Sequence, residues 1–161
     1  MEGSLNLDLK LKAQAISDLW QTQCSLHTEL FELTCDEYIH LLASDMDKLD
    51  EAIEAKLELI EKINQNEDRR KLWAQDINER YPDANIAKLS ETVAFLKSNG
   101  LERDGSRLEK LNLVLLDIVD KIQEQNKKNQ VFLNKALLSL KELKQSFGNG
   151  KKNYETYGSN G

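Results

Sequence analysis

The sequence predicts an all-α fold, an elongated antiparallel bundle or coiled coil of three long helices and one short one. Three observations predict it. Residues Ser106 to Phe147 hold a three- and four-residue apolar spacing throughout, a seam read in order from Leu108, Leu111, Leu115, Ile118 and Ile122 to Gln125, Asn129, Phe132, Ala136, Leu140, Leu143 and Phe147. Breakers are few, with one proline and seven glycines in 161 residues. Charged residues make up 31% and hydrophobic ones 40%, with Leu, Glu, Lys, Gln and Ala abundant, the composition of long helices around a stripe-like core. The length fits a single domain, helical over 1–147 with a flexible tail over 148–161.

In chain order, Leu5, Leu7, Leu9 and Leu11 alternate with polar residues, which alone reads as a strand, so the first eight residues stay open. Helical spacing follows in Ile16, Leu19, Trp20, Leu26, Leu30, Phe31, Tyr38, Leu41 and Leu42, placing a first helix over about 9–43. Ser44 is a candidate cap for a second helix over about 45–80, whose apolar stripe reads Met46, Leu49, Ile53, Leu57, Ile60 and Ile63. The short connection favours a hairpin over one kinked rod. Leu72, Trp73 and Ile77 resume the pattern in a shifted phase, and Tyr81-Pro82 ends it, because a residue before proline avoids the α region. Asn85 caps a short helix over about 86–98 with Ile86, Leu89, Val93 and Leu96 inward, stopped by Ser98-Asn99-Gly100. Leu101 to Gly105 reads as a loop. Ser106-Arg107-Leu108-Glu109 is a capping box opening the last helix, and Gly148 stands where a left-handed cap would close it. That helix, about 107–147, is roughly 60 Å long, so part of its seam must stay bare unless the rest of the chain is equally elongated.

Composition excludes several functions. Net charge is −6, which disfavours nucleic-acid binding, since neutralising phosphates takes a clustered basic face. The charge is uneven: His27–Asp68 holds thirteen acids and three lysines, whereas Lys121–Lys152 holds eight lysines and two glutamates. The zones either neutralise each other across the bundle or leave a basic end to dock an acidic partner. Cys24 and Cys35 lie about 16 Å apart along one helix, too far for a disulfide within it, and suit a reducing cytoplasm. The opening Met1–Asn6 lacks the basic and apolar regions of an export signal, and no apolar run is long enough to insert in a membrane. The expected location is the cytoplasm.

No chemistry-bearing set emerges. Glu37-x-x-His40 is half of a di-iron bundle motif, which needs a second Glu-x-x-His and two further inward glutamates, but the only other histidine, His27, has Cys24 at that spacing. Neither His27 nor His40 has the Leu-Lys-Gly context of a phosphotransfer histidine. No nucleophile elbow, phosphate loop or Cys-x-x-Cys occurs, so no catalytic residue, metal or cofactor is expected. More informative is the polar step Gln125-Asn126-Lys127-Lys128-Asn129-Gln130, which places Gln125 and Asn129 on the seam. Polar seam residues fix register or partner choice at a cost in stability. Either this level is open to water, or the helix changes partners here, with Leu108–Ile122 packed internally and Phe132–Phe147 left for something else.

The residues also resemble a family. The run Leu26-His27-Thr28-Glu29-Leu30, followed by Leu41, Leu42, Asp47, Leu49, Lys56 and Leu57, resembles the N-terminal hairpin of the FlgN family of flagellar export chaperones. The Asn126-x-x-Asn129 step and the Tyr157-Gly158-x-x-Gly161 ending are similar to that family too. The resemblance implies a non-enzymatic chaperone that binds the amphipathic C-terminal helices of flagellar hook-associated (hook–filament junction) proteins. It also implies contact with components of the type III export gate and its ATPase complex, to which clients are delivered before they assemble. The partner-binding residues expected are Gln125, Asn126, Asn129, Phe132, Leu133, Ala136, Leu140, Leu143 and Phe147, with Tyr154 and Tyr157 as tail anchors. The chaperone reading expects a monomer or weak homodimer; the alternative is a structural or adaptor coiled coil that self-associates through the last helix as a stable homo-oligomer.

Overall fold

In the computed structural model the described residues are 2–158, with side chains described except those of Glu2, Ser4, Leu5 and residues 149–158. Four helices follow in order: α1 (Glu2–Ala43), α2 (Met46–Arg80), α3 (Leu89–Ser98) and α4 (Glu102–Gly158). The all-α class and the hairpin are both found.

The α1–α2 hairpin turns in two residues. Ser44 takes the left-handed conformation (φ 53°), its N–H donating to Leu41 O (3.2 Å) while the Asp45 N–H donates to His40 O (3.0 Å). This nested pair satisfies two orphan carbonyls of α1. The cap of α2 is Asp45 rather than Ser44, its carboxylate accepting the Lys48 N–H (3.2 Å). A side chain at Ser44 costs about 1 kcal/mol in the left-handed region, partly offset by what glycine loses in chain entropy. Ser44→Gly is therefore expected to raise the thermal midpoint by about 1–2 °C, read by circular dichroism.

α1 is the central helix, packed on both α2 and α4. α2 runs antiparallel to it, pinned by Trp73 Nε1 donating to Lys12 O (2.9 Å) and Asn66 Nδ2 to Leu19 O (2.9 Å), with the Lys56–Glu37 ion pair (2.8 Å) nearer the turn. α4 runs parallel to α1: Asn112 accepts from Trp20 (3.4 Å), Leu111 O from the Cys24 thiol (3.4 Å), and Thr34 O from Asn129 (2.9 Å). Helix carbonyls have a second lone pair, so these side-chain donors fix register without breaking the ladders.

The buried core gathers where the start of α1 and the end of α2 meet α3 and the start of α4. Leu9, Ala13 and Ile16 of α1 meet Trp73 and Ile77 of α2, Ile86, Val93 and Leu96 around α3, and Leu108 of α4. The segment before α3 is clamped there: Asn78 donates to Ile86 O (2.9 Å) and accepts its N–H (2.7 Å). The opposite end of the molecule has no comparable cluster among the described residues.

Several expectations are corrected. The alternating leucines of the N-terminus are helical, because Leu9, Ala13 and Ile16 form an i, i+4, i+7 face while Leu7 and Leu11 point to solvent. α2 buries Ala52, Leu59, Asn66 and Trp73, a line at seven-residue spacing, whereas Met46, Ile53, Leu57 and Ile60 are 39–63% exposed. α3 begins three residues after Ile86; Asn85 is a left-handed loop residue (φ 44°), and Glu91 accepts the Lys88 N–H at the helix start (3.1 Å). α4 starts at Glu102, so Leu101–Gly105 is not a loop and Ser106 lies inside the helix. Its path continues through Gly148 to Gly158. The expected flexibility of the last fourteen residues concerns side chains that, from 149 on, lie outside the described ones.

Acid sensitivity follows from two carboxylates. A hydrogen bond from Lys12 holds Asp76 below its usual range, with Arg80 adding to the effect, and Arg70 does the same for Glu67. A folded-state pKa that is depressed gives stability present above the ordinary carboxylate range and lost as pH falls through the lowered value. The thermal midpoint is expected to fall between about pH 6 and about pH 3, and Asp76→Asn to flatten part of that slope.

Candidate partner-binding surface

The seam of α4 changes character along its length. Leu108, Ile122 and Asn129 are buried against α1, and Leu111, Leu115, Ile118, Gln125 and Phe132 are half-buried. From Leu133 to Gly148 every residue is exposed. The cause is length. Tyr38 of α1 meets Phe132 edge to face, ring centroids 6.0 Å apart, and α1 stops five residues later at Ala43. α4 runs on for about 39 Å beyond Phe132.

The uncovered part is amphipathic. Leu133 is 38% exposed, Leu137 55%, Leu140 62%, Leu143 56% and Phe147 72%; together with Ala136 they form one stripe at helical spacing. Folded monomers rarely leave so continuous an apolar stripe open to water. Lys141 and Lys144 lie along it, and neither has an ion-pair partner among the described residues.

The polar step sits one turn before this change. Asn129 is 7% exposed and donates to Thr34 O (2.9 Å), while its own Oδ1 accepts from Gln125 Nε2 (2.9 Å). Asn129 is turned onto α1, and Gln125 supports it from one turn earlier on α4. Asn126 is exposed. The side chains of Tyr154 and Tyr157 lie outside the described residues. The seam reading did not single out Leu137, although it stands four residues after Leu133, or Val131, which is 54% exposed beside Phe132.

Neither histidine gathers a site. His27 Nδ1 lies 2.8 Å from Gln23 O one turn earlier, and Glu37 of the Glu-x-x-His step is engaged by Lys56. Among the described residues no group of three or more His, Cys, Asp or Glu could hold a metal ion. Burial raises the Cys24 thiol pKa, which disfavours the reactive thiolate. No described helix is long and apolar enough to cross a membrane.

A family model described as FlgN protein matches residues 11–161, nearly the whole chain and all four helices. The chain belongs to the FlgN family. FlgN proteins are flagellar export chaperones, a family that acts by binding rather than by catalysis. No curated protein and no solved structure matches this chain.

Proposed function

We propose that this chain is a cytoplasmic chaperone that holds the amphipathic C-terminal helices of flagellar hook-associated proteins along the distal half of α4. It keeps them from assembling early and delivers them to the type III export gate and ATPase complex. One observation carries the reading: the apolar stripe from Leu133 to Phe147 continues the α4 seam past the point where α1 ends. A client helix laid there would prolong that seam as an added coiled-coil strand. Family membership supports a chaperone role, and the lysines flanking the stripe would add steering and register more than affinity. Asn129 and Gln125 serve the client indirectly by fixing α4 on α1, so that the stripe projects at a set angle. Tyr154 and Tyr157 would add anchors if the client reached them.

The test is light scattering of the purified protein, alone and mixed with C-terminal fragments of hook-associated proteins. A stoichiometric complex with a fragment supports the reading. A tight homo-oligomer indifferent to every fragment would overturn it in favour of a coiled coil that self-associates through α4.

A further inference from the structure

A second apolar line stands open on α2. Met46, Ile53, Leu57 and Ile60 recur at steps of seven, four and three residues, so they share one side of the helix, and all four are exposed. Asp50, Glu54 and Glu61 run beside them, also exposed and without an ion-pair partner among the described residues. The distal part of α4 complements this line in charge, length and place. Residues 46–61 carry six acids and two lysines, whereas 133–152 carry five lysines and one glutamate. The line spans about 21 Å, and the overhang of α4 past Phe132 is longer than that. α4 becomes bare close to the level at which the α1–α2 hairpin turns, and the line on α2 starts at that turn, beside the exposed Ile39 and Leu42 of α1.

We propose that, in the absence of a client, the distal α4 of one copy of this chain lies along the α2 line of a second copy, and the second copy's α4 lies along the first's. A two-fold axis crossing the hairpin tips makes both contacts at once, because each overhang passes its own tip and runs on beside the other copy's α2. Such an interface is isologous and closes at two chains. Charge selects this pairing over the other two. Stripe on stripe would set lysines against lysines, and line on line would set acids against acids, whereas stripe on line joins opposite signs. The proposal rests on the chaperone reading for its consequence: the stripe is also the client's site, so the second copy shields it from water until a client displaces it.

The experiment is sedimentation of the full chain over a concentration series, at about 50 mM and about 500 mM salt. The parent is expected to form a dimer with a dissociation constant between about 1 μM and 1 mM. Leu57→Asp and Leu140→Asp are each expected to weaken it at least about tenfold, since a carboxylate then faces an apolar stripe. An equimolar mixture of the two variants is expected to associate more tightly than either alone, because the intact stripe of one meets the intact line of the other. Glu54→Lys with Glu61→Lys is expected to weaken the dimer about fivefold at low salt, with the gap closing at high salt. These α2 side chains are exposed, so unaltered circular dichroism spectra are expected. A C-terminal fragment of a hook-associated protein is expected to split the parent dimer and to bind Leu57→Asp at least as tightly as the parent. A parent that stays monomeric up to about 1 mM overturns the proposal. So does a dimer that Leu57→Asp leaves within twofold of the parent, which would mean that stripe pairs with stripe, or a mixture no tighter than its components. A dimer with the expected variants that no fragment binds or splits leaves the self-pairing standing and removes the chaperone reading. A fragment complex formed by a chain that is always monomeric does the reverse.

Discussion

Leu140→Asp is expected to weaken client binding at least about 100-fold while leaving the thermal midpoint within about 2 °C of the parent. The two halves of this expectation have one origin. Leu140 is 62% exposed, with no other element of the described chain against it, so its side chain adds almost nothing to folding. Covered by a client, it would contribute up to about 1.5–3 kcal/mol of apolar burial, and a carboxylate in its place would have to be desolvated beneath an apolar face. Leu143→Asp, one turn further on, is expected to behave the same way. Isothermal titration against a client fragment and thermal denaturation of the free protein together decide the matter. Unfolding by either change would show that these residues are internal core and that the division of α4 is drawn in the wrong place.

How much of this was legible in sequence depends on what each pattern contains. The α4 seam was legible because leucine, isoleucine and phenylalanine occupy it at regular spacing, and a helix so long outruns its neighbours whatever their arrangement. The place of the change was not. Asn129 looks like a break in the seam, yet its amide is buried and satisfied by Thr34 O and Gln125, so coverage continues one turn past it to Phe132. What ends the coverage is the position of Ala43 on a different helix, which depends on the register between α1 and α4 and on no local signal. The face of α2 was misjudged for a related reason. Ile53, Leu57 and Ile60 are the large apolar residues, but α1 is met by Ala52, Leu59, Asn66 and Trp73. Small alanine permits close approach and Asn66 finds Leu19 O, neither of which a hydrophobicity pattern weights. The exposed alternates on α2 are then an apolar line left over from packing. The start of α4 was placed too late because Ser106 and Glu109 imitate a helix opening. Gly105, buried one position earlier, lies inside the helix, where an added Cβ would come within 2.8 Å of the Lys97 side chain.

The opposite response is expected at the other end of the same helix. Leu108 is fully buried, in a cluster that joins α1, α2, α3 and α4, so Leu108→Ala removes packing from all of them at once. Large-to-small changes at such sites cost about 2–5 kcal/mol, the transfer energy of the lost atoms plus the cavity they leave. For a chain of this size that is a fall of roughly 10 °C in the thermal midpoint, measurable by calorimetry. Client affinity at a temperature where the variant is still folded should stay within about threefold of the parent. Leu108 lies 32 residues, about 48 Å of helix, from Leu140. Sites so far apart with no shared neighbours contribute additively. The pair of substitutions thus separates what α4 does for the fold from what it does for a partner: the proximal change lowers stability and spares binding, and the distal change does the reverse. If Leu108→Ala lost binding in step with stability while folded, the stripe would depend on the core. α4 would then act as one coupled element and not as a rod anchored at one end and free at the other.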